Sequence, residues 1–459
     1  MEIYNIAYNL YVQDGEHEPK QMTNFTPVIE TAYYPLESSQ DDIPAYLGIQ
    51  LILEDGSVRS LTLPMTSNLA RTIVAEEPRA VLLKTGYAPL VQKYIVDQLS
   101  KTGRSGECQR GVYLPGNGTY RLADGQHVTV WNGRVAGSTK LEVPYMIKPT
   151  NTYRITNSID RPVPTLVRTL LENDAALVLP VAYALLVSRR DVLTAEQHPL
   201  QGGLYITGVQ SSGKTTLARR VFGYTERIGI PGKAALVLEA VSTEASVRDT
   251  LSENPGCVVI IDDLAHSSSR TIEAHRKKLG GAMLRLAANE GDSTKKGKTG
   301  KTDHRDCTSG IALTAEFVLD GVSELTRSIF VYLEKKLNLT EDVRPALIGA
   351  ILEDFADWFA DNYEHAIELL HKIADSPDIL KNLRVDGADE FTELLTRERR
   401  IQDNLALLQW AFVCMVEMIK STVKLSPHRE QALYEKFWMA VHLSVSKQVD
   451  EFAKIHLFA

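Results

Sequence analysis

Gly208-Val209-Gln210-Ser211-Ser212-Gly213-Lys214-Thr215 follows the apolar run Leu204-Tyr205-Ile206-Thr207 and precedes Thr216-Leu217-Ala218-Arg219-Arg220-Val221-Phe222. Apolar run, glycine-bracketed loop and helix-compatible segment describe a strand turning into a helix, the setting in which this spacing reads as a phosphate-binding loop. The two glycines let the backbone curl so that successive N–H groups point at one anion, and the helix beginning near Gly213 adds the positive end of its dipole. In this reading the nucleotide contacts run through Gly208, Val209, Gln210, Ser211, Ser212 and Gly213 to Lys214, Thr215 and Thr216. Lys214 reaches the β and γ phosphates, and the Thr215 hydroxyl takes one position on Mg²⁺. ATP and Mg²⁺ are the implied cofactors.

Working outward toward the C-terminus, Ala234-Ala235-Leu236-Val237-Leu238 predicts a buried strand, and Thr243 to Leu251 a helix capped by Ser242 or Thr243. Cys257-Val258-Val259-Ile260-Ile261-Asp262-Asp263 then runs an apolar strand into two acids, 48 residues past Lys214. A buried parallel strand with acids at its carboxyl end is where a nucleotide hydrolase holds its metal and orients its water. Asp262 is assigned to the metal and Asp263 to the base. Gly310-Ile311-Ala312-Leu313-Thr314 predicts a further strand, which puts Thr314 beside the γ-phosphate as a water-holding side chain or leaves it an ordinary strand-end threonine. Arg327, before the strand Ile329-Phe330-Val331-Tyr332-Leu333, is either in an ion pair or given to a neighbouring subunit as an arginine finger.

Between Arg270–Asn289, read as helix, and the strand at Gly310 lies a loop rich in lysine, glycine and threonine. From Leu264 to Arg305 ten basic residues face four acidic ones, a net +6, in a chain whose formal charge is −8. The bulk charge excludes a protein that coats nucleic acid. The local charge is read as a hairpin presenting Lys295, Lys296, Lys298 and Lys301 to the phosphates of DNA, with a solvated surface as the other reading.

At 459 residues the chain has room for two or three domains. Residues 1–150 predict a mixed α/β domain for DNA binding or oligomerisation, with hairpin signals around Glu54-Asp55-Gly56-Ser57 and Asp124-Gly125 and a helix over Pro89 to Leu99. Residues 151–200 predict a linker and a helix ending near Arg190, residues 201–340 the nucleotide core, and residues 341–459 a helical lid. The lid follows from Leu347, Ile351, Phe355 and Phe359 at every fourth position. Arg397, Arg399 and Arg400 belong to a later helix, where they are either simply solvated or, in a lid over a nucleotide site, placed for one of them to touch the phosphates. The longest apolar run, Ala175 to Val187, is too short to span a bilayer. The N-terminus shows no signal peptide, and four cysteines without CxxC spacing argue against zinc fingers and disulfides. A cytoplasmic location and no membrane partner are expected.

Gly208 to Thr215, Val258 to Asp263, Arg285-Leu286-Ala287-Ala288-Asn289, Leu313-Thr314-Ala315-Glu316 and Leu325-Thr326-Arg327 together resemble the AAA+, MCM-like helicases of bacterial mobile elements. That family includes staphylococcal cassette chromosome helicases and the helicase halves of phage and plasmid primase-helicases. Leu53-Glu54-Asp55-Gly56 and Arg110-Gly111-Val112-Tyr113-Leu114-Pro115 extend the resemblance into the N-terminal domain. It implies an AAA+ P-loop core with a parallel sheet, an inserted basic hairpin and a C-terminal helical lid. It further implies a homohexameric ring around single-stranded DNA, Thr314 as sensor 1, Arg327 as the trans-acting finger, and Arg399 or Arg400 as sensor 2. Asp263 stands where many members carry glutamate, and Thr314 where many carry asparagine. No primase motif is evident in residues 1–150, so a primase or initiator would be a separate partner. A nucleotide-switched ATPase of signalling or defence, acting on a protein, is the alternative function, and an ATPase that remodels proteins a third.

Overall fold

The computed structural model describes every residue except 1, 37–41, 106, 151–152, 241, 267, 289–293, 297–301, 305–306, 320, 376–397 and 459, and gives the backbone alone for 103–105, 294–296, 302–304 and 456–458. The described chain forms two compact units. The first comprises Met1–Pro115, Arg121–Gln126 and Lys140–Pro149; the second comprises Gly116–Tyr120, His127–Thr139 and Thr150–Ala459.

In the first unit, the strand Tyr46–Leu53 alternates half-buried and buried side chains, so Leu47, Ile49, Leu51 and Leu53 share one face. Leu69 and Ile73 of the helix Leu69–Glu76 and Val91 and Ile95 of the helix Ala88–Ser105 belong to the same core. The strand is the fourth of a five-stranded sheet ordered Tyr145–Ile147, Gln109–Leu114, Phe25–Pro35, Tyr46–Leu53, Val58–Pro64. Gly56, at φ 77°, makes the turn between the last two strands possible.

The second unit is built on five parallel strands. In spatial order they are Val237–Glu239, Val258–Leu264, Gly310–Ala315, Gly203–Gly208 and Ser328–Leu333. Side chains such as Val258, Val259, Ile260 and Ile261 are wholly buried, which is why these strands read as unbroken apolar runs rather than alternating ones. The chain leaves Gly203–Gly208 through the helix Lys214–Phe222, crosses to the far edge, steps back strand by strand, and places Ser328–Leu333 on the other side. The strand order therefore reverses around Gly203–Gly208, and in such sheets ligands bind in the crevice beyond the carboxyl ends at the reversal.

Helices Pro162–Glu172, Val178–Ser188, Pro345–Asp361, Tyr363–Ala374, Arg399–Thr422 and Pro427–Phe458 supply most of the remaining core. Val178–Ser188 is buried along its whole length. Arg399–Thr422 is long and apolar enough to cross a membrane, and 67% of its most apolar window is buried inside the protein. Packing in this fold accounts for that apolarity. Thr294–Lys296 pairs antiparallel with Thr302–His304, just ahead of Gly310–Ala315.

Candidate nucleotide-binding site

Gly208 ends the first core strand at φ 148°, and a Cβ there would lie 2.2 Å from the Leu333 carbonyl oxygen. No residue with a side chain fits that approach. Ser211 at φ 61° and Gly213 at φ 97° also take left-handed conformations, so the loop turns sharply twice before the helix begins at Lys214. Such alternation points successive N–H groups into one concavity. The Ser212 N–H donates to the Val209 oxygen at 3.2 Å, and the Leu337 N–H to the Ser212 oxygen at 2.9 Å, tying the loop to the chain beyond Leu333.

Lys214 folds back over this loop, donating to the carbonyl oxygens of Gly208 at 3.0 Å and Val209 at 2.8 Å. Burial lowers its ammonium from the usual lysine value, and the nearby Glu316 carboxylate opposes that shift. Asp262 is 6% exposed. A buried carboxylate is tolerated only when its oxygens are bonded. Here Oδ1 accepts from the Thr215 hydroxyl at 2.9 Å and the Thr314 hydroxyl at 2.6 Å, and Oδ2 accepts from Arg219 at 3.0 Å. Thr215 and Arg219 are one helical turn apart on the same face, so the spacing in sequence sets both on this acid.

The pairing between Val258–Leu264 and Gly310–Ala315 shifts register between Ile261 and Leu264. A bulge re-aims the residues it contains. Asp263 sits in it at φ 70°, its N–H donating to Thr314 Oγ1 at 3.1 Å. Its side chain is 69% exposed, 3.8 Å from Arg276. A cavity of about 300 Å³ is lined by residues 211–216, Asp263, Leu264, Thr314, Ala315 and Glu316.

The structure thus gathers Gly208 to Thr216, Asp262, Asp263 and Thr314 at the carboxyl end of the sheet. It does not bring Arg327, Arg399 or Arg400 there. Arg327 precedes Ser328, which is in register with Gly203, whereas the loop follows Gly208 in register with Leu333. Five residues of strand separate the two ends, about 17 Å at the usual rise. Arg327 is 7% exposed and donates to the Ser323 oxygen at 2.5 Å. Arg400 lies at the same edge, donating to Gln201 Oε1 at 3.1 Å and Thr326 Oγ1 at 3.3 Å. Burial and the positive charges of Arg400 and Arg285 lower the Arg327 pKa. Arg399 is directed to Asp403, at 3.7 Å, with its side chain 89% exposed. Within the single chain, the described Arg399 and Arg400 therefore do not line the nucleotide loop, and Arg399 is solvated. Arg399–Thr422 packs along Val178–Ser188. Arg397, Lys298 and Lys301 lie outside the described residues, and of Lys295 and Lys296 only the strand backbone is described.

Three side chains at the site were not singled out as functional in the sequence. Arg219 carried a usable signal, four residues past Thr215. Glu316 carried one also, two residues past Thr314 and therefore on the same side of an extended chain. Arg276 carried none, because its approach to Asp263 depends on how the helix Arg270–Ala287 lies on the sheet.

No protein-family model matches the chain, and no curated protein matches it in sequence. Among solved structures, the SCCmec type IV Cch helicase superposes with a TM-score of 0.60 at 11% identity, over 97% of this chain and 79% of that one. Two structures of JCV helicase with bound small molecules align at TM-scores of 0.22 and 0.23, with 9% and 10% identity, over 58% of this chain and 65% and 66% of theirs. The fold defined here is thus a mixed α/β helicase-type fold with a parallel sheet. Its resemblance to the staphylococcal cassette chromosome helicases, drawn above from short motifs, holds at the level of the fold.

Proposed function

We propose that this chain is a Mg²⁺- and ATP-dependent, ring-forming DNA helicase or translocase that serves replication of a mobile genetic element. The observation that carries the reading is the convergence of Lys214, Thr215, Asp262 and Thr314 on a twice-turned glycine loop at the sheet's reversal point. The residues suit the substrate and the ion. Loop N–H groups bind the phosphate oxygens, Lys214 exchanges the two loop carbonyls for the β and γ phosphates, and the paired oxygens of Thr215 and Asp262 are hard donors suited to Mg²⁺. When bound, Mg²⁺ neutralises charge on the β and γ phosphates as the terminal bond breaks. Thr314 holds Asp262 in place and fixes the bulge that carries Asp263. Asp263 and Glu316 face the cavity with carboxylates able to orient the attacking water.

Arg327 and Arg400, at the other end of the sheet, would serve the nucleotide of a neighbouring subunit, which favours assembly into a ring, a homohexamer in the family resembled. The pairing of Thr294–Lys296 with Thr302–His304 supports a hairpin whose lysines, Lys295, Lys296, Lys298 and Lys301, grip one DNA strand. A primase or initiator would act as a separate partner.

The test is steady-state ATP hydrolysis with and without single-stranded DNA, with Lys214→Ala as the blank. Stimulation by DNA that vanishes in the blank is the expected result. Hydrolysis indifferent to DNA overturns the motor and favours a nucleotide switch acting on a protein.

A further inference from the structure

Among the described residues, one group of three metal-ligating side chains converges outside the nucleotide cavity: His198, His371 and Asp375 each offer a donor atom, and the three atoms lie within 4.8 Å of one another. His198 comes from the stretch between the helix Arg190–Ala195 and the first core strand. His371 lies on the last turn of Tyr363–Ala374 and Asp375, four residues on, caps that helix, its N–H donating to the His371 oxygen at 3.0 Å. That spacing places both side chains on one helix face, toward the loop.

We propose that His198, His371 and Asp375 bind a transition-metal ion of the Zn²⁺ type with three protein ligands and an open fourth position. Two imidazoles and a carboxylate suit Zn²⁺, whereas Mg²⁺ and Ca²⁺ take oxygen donors. Donors about 2.0 Å from a tetrahedral ion lie about 3.3 Å apart. His198 Nε2 and Asp375 Oδ1 are 4.0 Å apart and all three donors lie within 4.8 Å, so the set closes on an ion when these side chains rotate inward.

The surroundings fit a ligand set better than a chance meeting of polar groups. His371 Nε2 is 3.2 Å from Glu196 Oε2. A carboxylate on one ring nitrogen fixes the tautomer and leaves the other with its lone pair, as in histidines that ligate metals. The two rings meet edge to face, centroids 5.6 Å apart, with both residues half-buried or nearly so. Asp403 is close enough to His198 to sense its charge.

The ion would join two segments far apart in sequence. His198 stands three residues before Gln201, whose side chain holds Arg400 and whose N–H donates to Asn404 Oδ1 at 3.0 Å. A metal bridge from His198 to Tyr363–Ala374 therefore anchors the loop that presents Arg400. The assignment does not depend on what the nucleotide cavity does.

The experiment uses the full chain, stripped with chelator and dialysed against Zn²⁺, Co²⁺ or Mg²⁺, with bound metal counted by mass spectrometry. One Zn²⁺ per chain and a tetrahedral Co²⁺ absorption spectrum are expected, both absent in His371→Ala and His198→Ala and both retained in Asp262→Asn. Glu196→Gln, which keeps all three ligands, is expected to weaken Zn²⁺ binding about 10- to 100-fold. Zn²⁺ should raise the thermal midpoint of the unmodified chain and leave that of His371→Ala unchanged. Less than stoichiometric Zn²⁺ in the unmodified chain, uptake unchanged in both histidine variants, or loss of uptake in Asp262→Asn overturns the site. If the histidine variants fail to fold, the Co²⁺ spectrum of the unmodified chain decides, an octahedral or absent spectrum counting against it.

Discussion

In the proposed hydrolase, Asp263 and Glu316 are the two candidates for orienting the water, and their backbones separate them. Asp263 is carried by a left-handed residue in a bulge, exposed and close to Arg276, while Glu316 continues directly from Gly310–Ala315 and interacts with Lys214. Glu316 has the longer arm and lies near enough to act on the Lys214 ammonium, which in the proposed site would meet the terminal phosphate. Glu316→Gln should therefore bind ATP normally and lose about 10²- to 10⁴-fold in turnover, the range for a general base. Nucleotide affinity and single-turnover hydrolysis, measured side by side with Asp263→Asn, would assign the task, and a Glu316→Gln enzyme with full turnover would return it to Asp263. The sequence made Lys214, Thr215 and Asp262 legible because the loop and the acidic strand end are local patterns. It did not make the bulge legible, since a register shift belongs to the pairing of two strands and leaves no mark in either. Glu316 stood in plain view, but its nearness to Lys214 follows from the pairing of Gly203–Gly208 with Gly310–Ala315.

At the scale of elements, the helix Pro345–Asp361 concentrates charge on one side. Glu353, Asp354 and Asp357 lie within two turns, and Arg134 answers two of them, at 3.1 Å to Glu353 and 2.7 Å to Asp357. Asp354 is left with burial and two like charges, which push its pKa from 3.8 up to about 6. Because the folded value is the higher one, the neutral acid favours the fold below pH 3.8, and that contribution disappears as pH rises through about 6. Asp354→Asn should thus be more stable than the unmodified chain by about 2 kcal/mol at pH 8, with the difference fading by pH 4. Urea melts across that range would read it, and a gain independent of pH would contradict it. The paired strands Thr294–Lys296 and Thr302–His304 are the proposed basic hairpin. If it grips single-stranded DNA, replacing Lys298 and Lys301 by alanine should leave basal hydrolysis intact and make the salt dependence of DNA affinity shallower by about 1.4 in log–log slope. An unchanged slope would remove those lysines from the interface. Strands and helices were readable here from apolar runs and from Leu347, Ile351, Phe355 and Phe359 at helical spacing. What the pattern did not carry was where a helix goes: the first turn of Arg399–Thr422 is set by the contact with Val178–Ser188, not by its own residues.

At the scale of the molecule, the proposed reaction centre would be divided between the two ends of the sheet. One end carries Lys214, Thr215 and Asp262; the other carries Arg327 and Arg400, about 17 Å away along the strands. Arg327, buried at that edge with its pKa lowered by burial and by the positive charges of Arg400 and Arg285, gains from an incoming anion, and in the proposed ring the nucleotide of a second subunit would supply one. A heterologous contact that repeats head to tail would bring each arginine edge onto the next loop and close into a ring. The arrangement predicts complementation. Lys214→Ala alone and Arg327→Ala alone should each be almost inactive, the second through a loss of about 10³-fold or more in turnover with ATP binding retained. Mixed in equal amounts under conditions that let subunits exchange, about a quarter of the interfaces would pair an intact loop with an intact arginine, and a matching fraction of hydrolysis should return. If the mixture stays as inactive as its parts while the two variants demonstrably co-assemble, Arg327 acts within its own chain or only on its structure. In that case the distance across the sheet leaves the structural role, through Ser323, as its function.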